Sequence, residues 1–195
     1  MQVALNTGYV ARPYKGETVC GDVGVSWHLP KRRVLALADG LGHGPQAHHA
    51  AMMAMQCIAE NLHLECAEMF VACNEKLRNT RGAVLAVAVI DLTSNILTLG
   101  SIGNIRCKLL TPTRESRLGS GRGIVGAGFK WSPPDQVQLT KRDTLVMFSD
   151  GVAEDAGIRA CDISGTVTPQ QLAQEVVTQW GRDDDDASVL VYRHE

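Results

Sequence analysis

A chain of 195 residues, 45% of them hydrophobic, can bury one core of ordinary size and has little room for two. Charged residues make up 21% and the net charge is −2, so composition neither marks a disordered polymer nor gives an electrostatic reason to expect nucleic acid or an anionic membrane as main partner. No apolar run reaches the ~20 residues of a bilayer-spanning helix, and Met1 to Gly8 lacks the basic start and apolar core of a secretory signal. A single soluble domain over residues 1–195, cytoplasmic, is therefore expected.

Strands are predicted first at Val23 to Trp27 and Arg33 to Ala38, the second apolar and closed by the turn signal Asp39-Gly40. The glycine-rich Gly42-His43-Gly44 leads into Pro45, which suits the first turn of a helix because its missing N–H has no partner to lose there. That helix is predicted to run to about Leu62, with Ala47, Ala51, Ala54, Met55, Ile58 and Leu62 on its apolar face. A second is predicted from about Leu64 to Arg78, with Met69, Phe70, Cys73 and Leu77 facing inward. Ala83 to Ile90 is a continuous branched apolar run, predicted as a buried strand. Ile96 to Ile102 and Ile105 to Leu110 continue it as an antiparallel meander, with turns at Asp91–Asn95 and Gly103-Asn104.

Gly119, Gly121, Gly123, Gly126 and Gly128 crowd one short segment. It lacks the Gly-Lys-Ser/Thr ending and βαβ setting of a phosphate loop, and reads as a mobile or tightly turning connection. Strands follow at Val137 to Leu139 and Thr144 to Ser149, then a helix over Pro169 to Trp180 with Leu172, Val176 and Val177 inward, and a last strand over Ser188 to Tyr192. Antiparallel strands mixed with helices grouped in pairs predict an α+β sandwich. Cys20, Cys57, Cys66, Cys73, Cys107 and Cys161 form no Cys-x-x-Cys pair, so reduced thiols are expected and zinc is not.

One placement recurs four times. An aspartate stands at the end of an apolar strand beside glycine or another aspartate: Gly21-Asp22, Asp39-Gly40, Asp150-Gly151, and Asp183 to Asp186 before Ala187-Ser188. A lone Asp-Gly is an ordinary turn and a lone acidic run an ordinary solvated loop. Four at strand ends can converge on one sheet edge. Converged carboxylates repel, and oxygen-only donors suit hard cations such as Mg²⁺ or Mn²⁺. Glycine after the aspartate is expected to let its carbonyl turn toward an ion. Two ions sharing a carboxylate would stand ~3.5–4 Å apart, prime a bridging water and offset charge on a phosphoryl group, with no covalent enzyme intermediate.

At these residues the chain resembles the PPM-type (type 2C) metal-dependent protein phosphatases, from about residue 17 to 193, in order and spacing. Ala38-Asp39-Gly40-Leu41-Gly42-His43-Gly44 before an Ala-rich helix resembles the SpoIIE-like branch. Asn79 to Ala83 and Ser101 to Arg106 also fit the short stand-alone stressosome phosphatases within it. The resemblance implies a four-layer α-β-β-α sandwich of two antiparallel sheets flanked by helix pairs, with two divalent cations, Mn²⁺ or Mg²⁺, in a cleft at one edge. Carried over by position, Asp39 bridges the ions, the Gly40 carbonyl completes the first site with Asp22, and Asp150 and Asp185 hold the second, Asp184 or Asp186 remaining alternatives to Asp185. Asp39 and Asp22 are thus the implied catalytic pair. The implied activity is hydrolysis of phosphoserine and phosphothreonine on regulatory proteins, namely stressosome components of the RsbS and RsbR type.

Some residues depart from the pattern. Asn104 stands where many eukaryotic relatives carry aspartate, so a third metal site is not implied. The stretch from Leu110 to Val137 leaves no room for a long flap. No arginine precedes Gly21-Asp22 to grip phosphate, leaving Arg12 and Arg81 as candidates. His43 lies near the metal loop, where it can touch substrate or metal-bound water, while His48 and His49 are expected on the helix surface. The rival readings are a phosphatase-like module that binds without turnover, and a phosphatase with an aspartyl nucleophile. The second wants an Asp-x-Asp that Asp39-Gly40-Leu41 lacks.

Overall fold

The computed structural model describes residues 6–119, 121–161 and 167–195. Its elements begin with β1 (Thr7–Arg12), β2 (Asp22–His28), β3 (Arg32–Gly40), α1 (Gly44–Glu60), α2 (Cys66–Lys76), β4 (Ala83–Asp91), β5 (Ile96–Ile102) and β6 (Arg106–Leu110). They continue with β7 (Glu115–Leu118), β8 (Arg122–Ile124), β9 (Gly128–Lys130), β10 (Asp135–Gln138), β11 (Thr144–Phe148), α3 (Ile158–Cys161), α4 (Pro169–Trp180) and β12 (Ala187–Arg193).

Two five-stranded antiparallel sheets stack face to face, in the orders β10-β5-β4-β3-β2 and β1-β12-β11-β6-β7. Helices α1 and α2 cover the first sheet and α4 the second, giving the expected α-β-β-α layers. The apolar runs are continuous because the central strands are buried on both faces. On β3, Val34, Ala36 and Ala38 face the helices while Leu35 and Leu37 face the other sheet. On β11, Leu145 and Met147 fill the space between the sheets while Val146 and Phe148 pack under α4. No described helix is long and apolar enough to cross a membrane.

Small residues line the contact between α1 and β3. Ala47, Ala50, Ala51 and Ala54 on the helix are fully buried, and Ala36 and Ala38 meet them from the strand. Each of the predicted inward faces of α2 and α4 is buried. Helix α4 starts at Thr168, whose hydroxyl accepts from the Gln171 N–H while the Gln171 side chain reaches back to the Thr168 backbone.

Two expectations are corrected, and three elements are new. The meander breaks at Gly103-Asn104, because β6 leaves the β4–β5 sheet and pairs with β11 in the opposite one. This crossover carries Asn104 across the edge between the sheets. The glycine-rich segment is not a plain connection: β8 and β9 form a small hairpin tied to β4 through Ala83 and Val125 and to β5 through Ser101 and Gly121. Strands β1 and β7 and helix α3 carried no assignment from sequence, and β1 completes its sheet by pairing with β12. Cys20, Cys57, Cys66, Cys73 and Cys107 are free thiols, and the side chain of Cys161 lies outside the described residues.

Candidate metal centre

Antiparallel pairing explains how aspartates far apart in sequence reach one place. In a neighbouring antiparallel pair, the end of one strand lies beside the start of the other. Asp39 near the end of β3 is therefore the direct cross-strand partner of Asp22 at the start of β2. In the second sheet, β11 ends where β12 begins, with Phe148 opposite Val189 and the Ser149 N–H donating to the Ser188 carbonyl at 3.1 Å. This delivers Asp150 and the acidic run before Ala187 to the same edge. Stacking of the sheets then sets the two pairs against each other.

Glycines permit the close approach. A Cβ on Gly21 would lie 2.7 Å from Asp186 Oδ2, and one on Gly151 would lie 2.0 Å from the Asp186 carbonyl. Gly40 has a different reason from the expected one. It is an ordinary strand residue, and a Cβ there would stand 1.9 Å from the Ala47 carbonyl oxygen of α1. The glycine is needed so that the helix can sit on the strand end.

Asp39, Asp150, Asp184 and Asp185 line a cavity of about 520 Å³ together with Tyr14, His43, Asn104 and Arg122. Asp22 lies beneath, 2% exposed, and neither of its carboxylate oxygens has a hydrogen-bond partner. Burial raises the Asp22 carboxyl to about 7; the nearby Ser149 and Ser188 hydroxyls offset part of this without reaching hydrogen-bond geometry, and Asp186 and Asp185 add to it. Asp39 is raised as well, first by burial and then by Asp22, Asp150, Asp185 and Asp186. Asp185 is raised by burial and by Asp150. Arg182 offsets part of this at Asp185, but no cation is among the main influences on Asp22 or Asp39, and a buried carboxylate with two unpartnered oxygens is costly unless compensated. The donor set, oxygen throughout, fits a hard divalent cation. Among the described residues no group of three or more His, Cys, Asp or Glu side chains is already arranged to hold an ion.

The acidic run divides by environment. Asp183 pairs with Arg12 at 3.5 Å and Asp184 with Arg182 at 2.9 Å, both well exposed. Asp185 faces the cavity and accepts from the Asp186 N–H at 2.8 Å. Asp186 is 3% exposed and accepts from the Tyr14 N–H at 2.8 Å through Oδ1, while Oδ2 has no partner. Asn104 donates to Asp150 Oδ2 at 2.7 Å and so fixes that carboxylate directly.

His43 caps α1 by backbone position only. Its Nδ1 lies 2.8 Å from Glu17 Oε1, and its ring stacks on Tyr14 at 4.8 Å, both at the mouth of the cavity. His49 is exposed as expected, whereas His48 is half-buried with Nδ1 2.8 Å from the Cys20 carbonyl, tying α1 to the segment before Asp22. Arg12 is engaged by the Arg182 carbonyl at 2.6 Å as well as by Asp183. Arg81 reaches the Leu41 carbonyl at 3.5 Å and does not line the cavity. Tyr14, Glu17 and Arg122 went unnoticed in the sequence, where nothing links them to the aspartates. The cluster of glycines around Arg122 was the one available signal.

Residues 30–195 match the family model for stage II sporulation protein E, SpoIIE. The phosphoserine phosphatase RsbX of Bacillus subtilis (strain 168) is 33% identical over 103 residues, 52% of this chain and 51% of that protein, so the match spans about half the length of this curated relative. Among solved structures, one from work on the bacterial stressosome, described as a modular system adapted to control secondary messenger signaling, superimposes with a TM-score of 0.89 at 29% identity, covering 96% of this chain and 98% of that one. RsbX in complex with magnesium gives 0.83 at 21% identity, over 96% and 94% of the two chains. The PP2C phosphatase domain of SpoIIE from Bacillus subtilis gives 0.79 at 21%, over 97% and 63%. The last two likenesses speak to the fold.

Proposed function

The chain belongs to the SpoIIE family, and on that premise we propose that it is a single-domain, metal-dependent serine/threonine protein phosphatase of PPM type. The observation that carries the reading is the Asp22–Asp39 cross-strand pair facing Asp150 and Asp185, with both buried oxygens of Asp22 lacking a partner. Two divalent cations, Mn²⁺ or Mg²⁺, would compensate these carboxylates, lower the proton affinity of water at the site and offset charge on the phosphoryl group. Asp39 lies within the influence of the carboxylates from both sheets, which supports reading it as the carboxylate that would serve both ions. Asp22 and the Gly40 carbonyl would hold the first and Asp150 and Asp185 the second. Asn104 keeps Asp150 in one orientation, and Tyr14 keeps Asp186 from swinging out of the edge.

Hydrolysis forms a bond from water oxygen to phosphorus and breaks the bond from phosphorus to the serine oxygen. The serine oxygen takes up a proton, the attacking water gives one up, and inorganic phosphate leaves without any electron transfer. The carboxylates lining the cavity would be useful to an anionic substrate only once cations are bound.

The finer proposal is that the substrates are phosphorylated regulatory proteins of the RsbS and RsbR type. It is supported by likeness to a relative named as the phosphoserine phosphatase RsbX and to a structure from stressosome work. The test is incubation of the purified chain and Mn²⁺ with such proteins carrying phosphoserine or phosphothreonine. Phosphate release that EDTA stops and Asp39→Asn abolishes is expected. Binding of the phosphoproteins with no release by the wild type would favour a non-catalytic docking module. Release from a generic phosphoserine peptide with both stressosome proteins untouched would keep the activity and refute the substrate.

A further inference from the structure

A phosphomonoester entering a cavity floored by aspartates carries oxygens that a positive group of the protein can grip in addition to any bound cations. The nearby arginines are mostly engaged. Arg12 is held by Asp183 and the Arg182 carbonyl, Arg182 by Asp184, and Arg106 and Arg117 by Glu154. Arg122 is the one arginine lining the cavity, it is exposed, and its guanidinium makes no hydrogen bond or ion pair with the described residues, its backbone pairing with Lys130.

The backbone that carries it is firmly placed. Gly121 exchanges hydrogen bonds with the β5 end and the crossover after it: its N–H donates to the Ser101 carbonyl at 3.0 Å and its carbonyl accepts from the Gly103 N–H at 3.2 Å. On the other side Val125 and Ala83 bond reciprocally at 2.9 and 3.0 Å, and the Gly126 N–H donates to Asn74 Oδ1 at 2.9 Å. A Cβ on Gly121 would stand 2.2 Å from the Ser101 carbonyl oxygen, and Gly123 has φ +112 with the hairpin backbone 2.6 Å from where its Cβ would be. These glycines press the hairpin against the sheet edge and leave Arg122 as the side chain between two anchored points.

We infer that Arg122 binds the phosphoryl oxygens of the substrate, so that the β8–β9 hairpin is the phosphate-gripping wall opposite the aspartates. The inference rests on the phosphatase reading above. A guanidinium offers two parallel N–H donors to two phosphoryl oxygens, and such charge-assisted pairs are strong and directional. The hairpin thus supplies the grip that no arginine before Gly21-Asp22 provides.

The test uses the Mn²⁺-loaded protein, p-nitrophenyl phosphate, a phosphoserine peptide, and calorimetry with inorganic phosphate. Arg122→Ala is expected to raise KM for both substrates, and weaken phosphate binding, by about tenfold or more. Arg122→Lys should recover only part, since a point charge lacks the fork. Arg114→Ala, in an exposed turn away from the cavity, serves as the control, with melting curves confirming that every variant folds. Unchanged KM and phosphate affinity in Arg122→Ala would overturn the inference. So would a KM rise confined to the peptide, which would mean that the hairpin reads the peptide chain rather than the phosphate. If the wild type turns over neither substrate, the phosphatase reading fails, and phosphate calorimetry on wild type and Arg122→Ala still decides what Arg122 binds.

Discussion

Replacing Asp22 by Asn removes a charge and keeps the shape, and so separates what this carboxylate does for ions from what it does to the fold. In the wild-type chain it is 2% exposed and both oxygens lack a partner. Burial, with Asp186 and Asp185 adding to it, brings the carboxyl to about 7, against ~3.9 for an unfolded Asp. A raised folded value means that the stability is fully present below about pH 4, is lost as pH rises from there to about 7, and is missing entirely at pH 8. At ~1.4 kcal/mol per pH unit the loss approaches ~4 kcal/mol, or ~2–4 kcal/mol when Asp39 shares the proton. Asp22→Asn should therefore stabilise the metal-free protein at pH 8, raising its melting temperature by ~5–15 °C for a chain of this size. Thermal melts in EDTA at pH 8 and pH 5 read this, and the advantage should shrink at pH 5. In excess Mn²⁺ the order should reverse, because the wild type gains ~2.7 kcal/mol at a hundredfold excess over Kd and the variant gains less. A variant no more stable than wild type in EDTA at pH 8, or an advantage equal at both pH values, would refute the claim that Asp22 is an uncompensated buried charge.

Gly40→Ala should destabilise by ~1–3 kcal/mol and lower phosphatase activity, since the new methyl collides with the Ala47 carbonyl and displaces α1 from the end that carries Asp39; a urea titration showing wild-type stability would contradict this. Leu85→Ala, at a fully buried position beneath the helices, should cost ~2–5 kcal/mol in the same titration, and a loss below 1 kcal/mol would mean that this layer is loosely packed. Asn104→Asp exchanges a donor 2.7 Å from Asp150 for a like charge. It should lower metal-free stability at pH 8 by about 1 kcal/mol and tighten Mn²⁺ binding by calorimetry, whereas weaker binding would show that the amide is needed to set the Asp150 geometry.

The sequence was most legible where both faces of an element are buried. The runs 83–90 and 144–149 could be read as strands because their residues are apolar on both faces, and the helix faces followed from three- and four-residue spacing. The aspartates stood out because each borders an apolar run, Asp39 and Asp150 after one and Asp22 and the 183–186 run before one. What could not be read was partnership between strands. Nothing local in Ile105 to Leu110 tells that β6 joins β11 rather than β5, so the crossover at Gly103-Asn104 and the bond from Asn104 to Asp150 were out of reach. The unusual dihedrals expected of Gly40 are not needed there; what excludes a side chain is Ala47, a residue of the next element that the local sequence does not place beside it. The glycines around Arg122 signalled constraint, but the surfaces they press against, Ser101 and the hairpin itself, become neighbours only in the fold.

The central claim is that carboxylates from two sheets hold a pair of cations at one edge. Anomalous diffraction from crystals grown with Mn²⁺ tests it most directly. Two peaks ~3.5–4 Å apart, with Asp39 between them and Asp22, Asp150 and Asp185 around them, are the expected result. Mn²⁺ bound elsewhere, or no Mn²⁺ near Asp39 at millimolar concentration, would contradict it.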